Sequence, residues 1–321
     1  MSIVIRKPGI LTTVQDLGRH GYRRYGINPG GVMDAAASLL SNAVLGNDED
    51  ATVIEMHYPA PQIEFEKETI AVIGGADLAP ELDGKPLENW RPFYAARGSE
   101  LRFTNKIMGN RAYLAVRGGV RCDKWLDSSS TNLAAKFGGF EGRKLMTNDR
   151  LEFESEKDFG AAGLNKKISP LLIPLYRPFP TVRIIAGAEF PNLDDNGKRL
   201  LLDQNFTIST NSDRMGFRLN GEPLNLARPR EFISSAVNFG TIQILPDGQL
   251  IVLMADHQTA GGYPRIGHVI TRDLSLIAQL GAKDKVAFHL VDVGHAEELA
   301  LEFERDLSML RAACRFPSVR K

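Results

Sequence analysis

Short apolar runs broken by turn chemistry dominate the chain. "TVIEMHY" (52–58), "TIAVIGG" (69–75), "ELRFT" (100–104) and "RAYLAVRGG" (111–119) are rich in β-branched or aromatic residues and close in glycine, acid or another turn former, which predicts strands. The second half repeats the style with "TVRIIAG" (181–187), "GTIQILPDG" (240–248), "QLIVLMAD" (249–256) and "KVAFHLVD" (285–292). "LPDGQ" predicts a hairpin, because Asp-Gly tolerates the positive φ of a tight turn. Helical periodicity is confined to three places. Met33, Ala36, Leu39, Leu40, Ala43 and Val44 line one face of 33–45 ahead of a Gly46 stop; 272–280 offers a short helix; 295–313 is the strongest amphipathic stretch. The expected fold is mainly β with a few short helices and a C-terminal helix, and so many short strands point to barrels or a sandwich.

Residues 155–180 carry four prolines, at 170, 174, 178 and 180, which interrupt helices and central strands alike. A cut there predicts an N-terminal β domain over 1–160, a C-terminal β domain over 175–295, and a helix and tail over 296–321. Both domains have ordinary sizes.

Composition narrows the functional classes. Of 321 residues, 43% are hydrophobic and 24% charged, the mix of a globular protein with a core. Lysine plus arginine equals aspartate plus glutamate at 39 each, so no broad basic surface for nucleic acid is expected. Cys122 and Cys314 supply neither a disulfide framework nor metal-ligand spacing, which fits a reducing cytoplasm and no resident metal. "MSIVIRKPGI" is too short in apolar residues for a signal peptide, and no run approaches the roughly 18 of a membrane span.

Phosphate-loop, G-x-S-x-G and H-E-x-x-H motifs are missing. Three polar loops remain. "GILTTVQDLGRHGYRRYGINPGGVMD" (9–34) reads either as a meandering connection with solvated arginines, or as a site in which Arg19 or Arg23 grips a carboxylate or phosphate. In "STNSDRMGFRLNG" (209–221), Asp213 beside Arg214 is most simply a local charge pair on a turn, with Arg218 a candidate second guanidinium nearby. "DHQTAGGYP" (256–264) crowds Asp256, His257, Gln258 and Thr259 beside Gly261-Gly262 and Tyr263. It is either a polar turn or a site rim, in which bare glycine amides form an anion-binding nest.

Taken together, "TTVQDLGRHGYRRYGINPGGVMD", "GGAD", "RAYLAVRGG", "SSSTNLAAKFGGFEGRKL", "SDRMGFRLNG" and "DHQTAGGYPRIG" resemble the biotin-dependent carboxyltransferase / allophanate hydrolase subunit 2 family, over residues 3 to 291. The resemblance implies two cyclophilin-like β-barrel domains. It also implies the role of the C-subunit in a hetero-oligomeric 5-oxoprolinase, a hydrolase that uses ATP to open 5-oxoproline to glutamate, with A-subunit and B-subunit partners. Two other roles travel with the family: a non-catalytic antagonist of a B-type kinase-inhibitor protein, and the carboxyltransferase of a urea carboxylase or allophanate hydrolase system. A biotin attachment sequence is missing from this chain, which weighs against the last.

On this reading Asp256, His257, Arg214 and Asp213 are the catalytic candidates. Asp16, Arg19, Tyr22, Asp34, Gln258, Thr259, Gly261, Gly262 and Tyr263 are the substrate-binding ones, expected in a cleft between domains. Arg214 would hold a substrate carboxylate or phosphate, and Asp256 or His257 would move a proton. The sequence departs from the family pattern at turns: Phe239-Gly240 for Pro-Gly, Ala186-Gly187 for Gly-Pro, and Asn148-Asp149 and Lys283-Asp284 for Gly-Asp.

Overall fold

The computed structural model describes residues 2–153, 164, 166–228 and 232–315. Part of the proline-rich boundary and the end of the tail lie outside them. The fold is mainly β, with helices α1 (Ala35–Leu45), α2 (Asp195–Asp203), α3 (Leu274–Ala278) and α4 (Val293–Arg315). Two compact units form. The first takes Met1–Arg19, Asp34–Pro174 and Glu304–Lys321; the second takes His20–Met33 and Leu175–Phe303. The segment 20–33 therefore counts with the second unit, although it lies early in the sequence.

In the first unit two sheets share one core. The five-stranded sheet runs Thr12–Gln15, Val53–His57, Met108–Val116, Thr69–Asp77, Phe93–Ala95 in spatial order, and a seven-stranded sheet includes Ser2–Lys7 and Gln62–Phe65. Period-two alternation gives the five-stranded sheet two different faces. The row Val14–Ile54–Leu114–Ile73 joins the apolar core with Ile3, Ile63 and Phe65. The next row, Thr13–Glu55–Tyr113–Gly74, faces α1, where a Cβ on Gly74 would collide with Ser41 Oγ and the Trp90 ring. Asp34 starts α1 by accepting from the Ala37 amide at 3.0 Å, and Gly46 ends it at φ +75°.

The second unit is a closed seven-stranded barrel. The order is Thr181–Ala186, Arg265–Val269, Thr241–Ile244, Leu250–Leu253, Gly216–Asn220, Phe206–Ile208, Lys285–Leu290, and the last strand pairs in parallel with the first. Inward residues such as Val182, Ile184, Phe217, Ile242, Val252 and Phe288 fill it with a packed apolar layer. Met33, from the early segment, is fully buried in the same cluster. The "LPDGQ" hairpin closes as expected, with the Leu245 amide on the Gln249 carbonyl at 2.8 Å and Gly248 at φ +78°.

The loop reading of 9–34 needs correction. Thr12–Gln15 is a fully buried strand, because Thr12, Val14 and their neighbours complete the sheet edge beside Val53–His57. The helix α2 has no counterpart in the periodicity of the sequence. No helix among the described residues is long and apolar enough to cross a membrane.

Candidate functional site

The antiparallel pairing of Gly216–Asn220 with Leu250–Leu253 sets Gly216 opposite Leu253. The segments just outside those strands are thereby drawn together: the Met254 amide donates to the Met215 carbonyl at 3.0 Å, and the Asp256 amide to the Arg214 carbonyl at 2.8 Å. The side chains follow. Arg214 Nε reaches Asp256 Oδ2 at 2.8 Å and Nη2 reaches Oδ1 at 3.2 Å, with the two residues only 6% and 9% exposed. Arg214 Nη2 also donates to the Gly31 carbonyl at 2.5 Å, and Asn28 Nδ2 to the Asp256 carbonyl at 2.9 Å. A two-point guanidinium–carboxylate pair that is out of solvent and further hydrogen-bonded is a rigid fixture. Arg214 is thus already committed to Asp256 and Gly31, which corrects the expectation that its guanidinium waits for a substrate anion.

His257 follows directly and is 2% exposed. Its Nδ1 lies 2.5 Å from the Gln258 carbonyl. A carbonyl only accepts, so Nδ1 carries the proton and Nε2 keeps the lone pair. Burial pushes its pKa below 6.5, the positive charge of Arg23 pushes the same way, and the Gln258 carbonyl and Asp256 oppose them. Arg23 itself is anchored to the Val237 carbonyl and Asn238 Oδ1. The arrangement offers a neutral imidazole, able to take a proton, beside a fixed cation.

Other candidates have different positions. Asp213 does not pair with Arg214; its Oδ1 accepts from the Met215 amide at 2.8 Å and the Gly216 amide at 3.3 Å, so it shapes the turn. Arg218 is exposed on its strand and Arg214 is buried, so the two guanidiniums do not converge. Tyr22 precedes the short 3-10 turn Arg23–Tyr25. The Thr259 carbonyl accepts from the Val237 amide, and Tyr263 is 46% exposed. Gly261 pairs with Ser235 in a two-residue ladder, and neither Gly261 nor Gly262 takes a left-handed φ. The alternating backbone of an anion nest is therefore not formed there. Gly261 matters for space instead: a Cβ would stand 2.8 Å from Gln243 Nε2.

In the first unit, Asp16 is an internal fixture. Its carboxylate accepts from the Gly18 amide (2.8 Å), Ser128 Oγ (2.7 Å), the Ser129 amide (2.5 Å) and Ser130 Oγ (2.6 Å). Arg19 is fully buried, donating to the Ser130 carbonyl, with its guanidinium 4.8 Å from the Phe137 ring and 5.5 Å from that of Trp125. Neither the solvated reading of Arg19 nor the anion-gripping one matches that enclosure. Asp34 caps α1, and its amide donates to Tyr113 Oη at 2.8 Å.

Known proteins share both the sequence and the fold. A family model described as carboxyltransferase domain, subdomain A and B, matches residues 25–290. The chain belongs to this carboxyltransferase family. It is 35% identical over 299 residues to the 5-oxoprolinase C-subunit of Haemophilus influenzae, covering 93% of this chain and 94% of that one. The Escherichia coli 5-oxoprolinase C-subunit is 35% identical over 287 residues, covering 88% and 89%. Among solved structures, the K. lactis urea amidolyase superposes with a TM-score of 0.88 at 25% identity, over 96% of this chain; the match spans 20% of that much longer protein.

Within this carboxyltransferase chain the sequence pattern hides two polar groups. One is Tyr113 Oη, which accepts from the Asp34 amide and donates to Glu55 Oε2 at 2.9 Å. Burial, Glu55 and Asp34 hold its pKa well above 10.0. The signal available was a glutamate inside the apolar strand "VIEMH". The other is Gln243 in "TIQI", fully buried in the barrel wall. A lone amide in an apolar strand marks an internal polar contact, and nothing in spacing alone says with what.

Proposed function

We propose that the chain is the C-subunit of an ATP-dependent 5-oxoprolinase, acting with A-subunit and B-subunit partners in the cytoplasm to open 5-oxoproline to glutamate. The observation that carries this reading is the match to the Haemophilus influenzae 5-oxoprolinase C-subunit along nearly the full length of both chains. The second unit supports it chemically. His257 Nε2 takes the proton of the attacking water, and the lowered pKa keeps the imidazole neutral and ready at pH 7. Arg23 sets a positive field beside it, suited to a carboxylate substrate. Arg214–Asp256 acts through position, fixing the backbone from which His257 projects.

ATP supplies activation of a poor electrophile, the lactam carbonyl. Gly261 and Gly262 lack the concave run of amides that grips a phosphate, and we assign nucleotide binding to one of the partners.

The test combines this chain with its A and B partners and follows glutamate release from 5-oxoproline with ATP. The expected result is turnover that His257→Gln lowers by about 10²- to 10⁴-fold, the range for one general base. No turnover from the folded wild-type assembly would reject the reading. A second reading, carboxyl transfer in a urea carboxylase system, is favoured by the likeness to K. lactis urea amidolyase over 96% of the chain. It predicts carboxylation of urea with carboxybiotin as donor, and no glutamate.

A further inference from the structure

Gln243 sits on the strand Thr241–Ile244 with no exposed surface. Its Nε2 donates to the Tyr263 carbonyl at 3.2 Å, and that acceptor fixes the amide's orientation, since the flipped amide would set oxygen against oxygen. Oε1 is then sealed from solvent and meets no donor among the described residues. A buried carbonyl oxygen left this way has lost its water and gained nothing, and such an atom in a native fold calls for a reason.

Its surroundings supply one. The point where a Cβ on Gly261 would stand is 3.5 Å from Gln243 Oε1 and 3.3 Å from Gln258 Nε2. One acceptor and one amide donor thus flank bare backbone, on the loop that carries His257. A lactam ring holds its amide cis, so N–H and C=O lie side by side on one edge and ask for an acceptor and a donor side by side. An open-chain amide, being trans, turns them to opposite sides.

We propose that Gln243 is a specificity-determining residue whose Oε1 accepts the N–H of a cis amide, while Gln258 donates to the carbonyl on the same edge. For its substrate the assignment rests on the 5-oxoprolinase reading above. Gly261 leaves the space beside this edge free of side-chain atoms, because any side chain there would press on both amides.

The experiment uses the enzyme assembled with its A and B partners and compares 5-oxoproline with N-methyl-5-oxoproline, which lacks the N–H. Wild type is expected to prefer the N–H substrate by at least about 100-fold in kcat/KM, as a site built around a hydrogen bond does. In Gln243→Leu that preference falls at least tenfold, through KM more than kcat, while the melting curve stays cooperative. Gly261→Ala, which keeps the glutamine but presses on its amide, raises KM for 5-oxoproline. If wild type accepts the N-methyl compound equally well, Gln243 does not read the amide; this outcome needs no variant to fold. An unchanged preference in a folded Gln243→Leu enzyme also overturns the assignment. Absence of any 5-oxoproline turnover by wild type is a different result, and it removes the functional reading itself.

Discussion

His257 and His268 both belong to the barrel unit, and burial lowers both pKa values, with Arg23 adding to the effect at the first and Arg265 at the second. Lowering means the folded state resists protonation more than the unfolded chain does. Stability from these residues is therefore complete above 6.5, the ordinary histidine value, and is lost as pH falls from there through the folded pKa values. The expected outcome is a wild-type urea midpoint that declines below pH 6.5 more steeply than that of His268→Gln, whose Thr241 contact a glutamine amide can keep. Parallel declines would show that other groups set the acid limb. The rate profile obeys the same sign: a neutral His257 base places the acid limb of kcat/KM below pH 6.5. At Lys283 the backbone has φ +74° and at Asn148 φ +72°, the left-handed region that favours glycine. A β-carbon there costs about 1–2 kcal/mol, less for asparagine, which tolerates the left-handed region. Lys283→Gly is accordingly expected to raise Tm by a few degrees, and Asn148→Gly by less, in a thermal melt.

Elements were legible in the sequence to the extent that local pattern and tertiary demand agreed. The apolar runs 52–58, 69–75, 111–119 and 285–292 hold the strands Val53–His57, Thr69–Asp77, Met108–Val116 and Lys285–Leu290, because each buries what it displays. The helix α2 is hidden by "DDNG", which reads as a turn: Gly197 lies in its first turn, and Asp194 turns the same residues into a helix start by accepting from the Gly197 amide. Asp213 misleads in the opposite direction, since adjacency to Arg214 suggests a pair, while only strand register brings Asp256 to that guanidinium. The α1 N-terminus shows how an element leans on such unseen partners. Tyr113 Oη serves both the Asp34 amide and the Glu55 carboxylate. Tyr113→Phe removes one hydrogen bond each from the Asp34 amide and the Glu55 carboxylate, at about 1–3 kcal/mol by urea unfolding. In a Glu55→Gln background the same substitution costs less, because a hydrogen bond to a neutral amide is weaker than one to a carboxylate. Equal costs in both backgrounds would mean that the Glu55 contact contributes nothing.

At the scale of the molecule, the order of the chain and the order of the cores do not coincide. Residues 20–33 are flanked in sequence by parts of the first unit, yet Met33 is fully buried with Val182, Phe217 and Ile242, and the Gly31 carbonyl completes the partners of Arg214. Contiguous sequence blocks could not reveal this, since periodicity reports which residues are buried and not in which core. The consequence is measurable in the intact protein. Met33→Ala removes most of a side chain from the barrel core and is expected to cost about 2–5 kcal/mol, as for other large-to-small core changes. Because each unit has its own core, the loss should be local. Amide hydrogen exchange should speed up in Thr241–Ile244 and Leu250–Leu253, far from Met33 in sequence. Thr69–Asp77, much nearer in sequence, should keep its protection. The reverse pattern, with the first unit loosened and the barrel unchanged, would show that the early segment serves the core of its sequence neighbours.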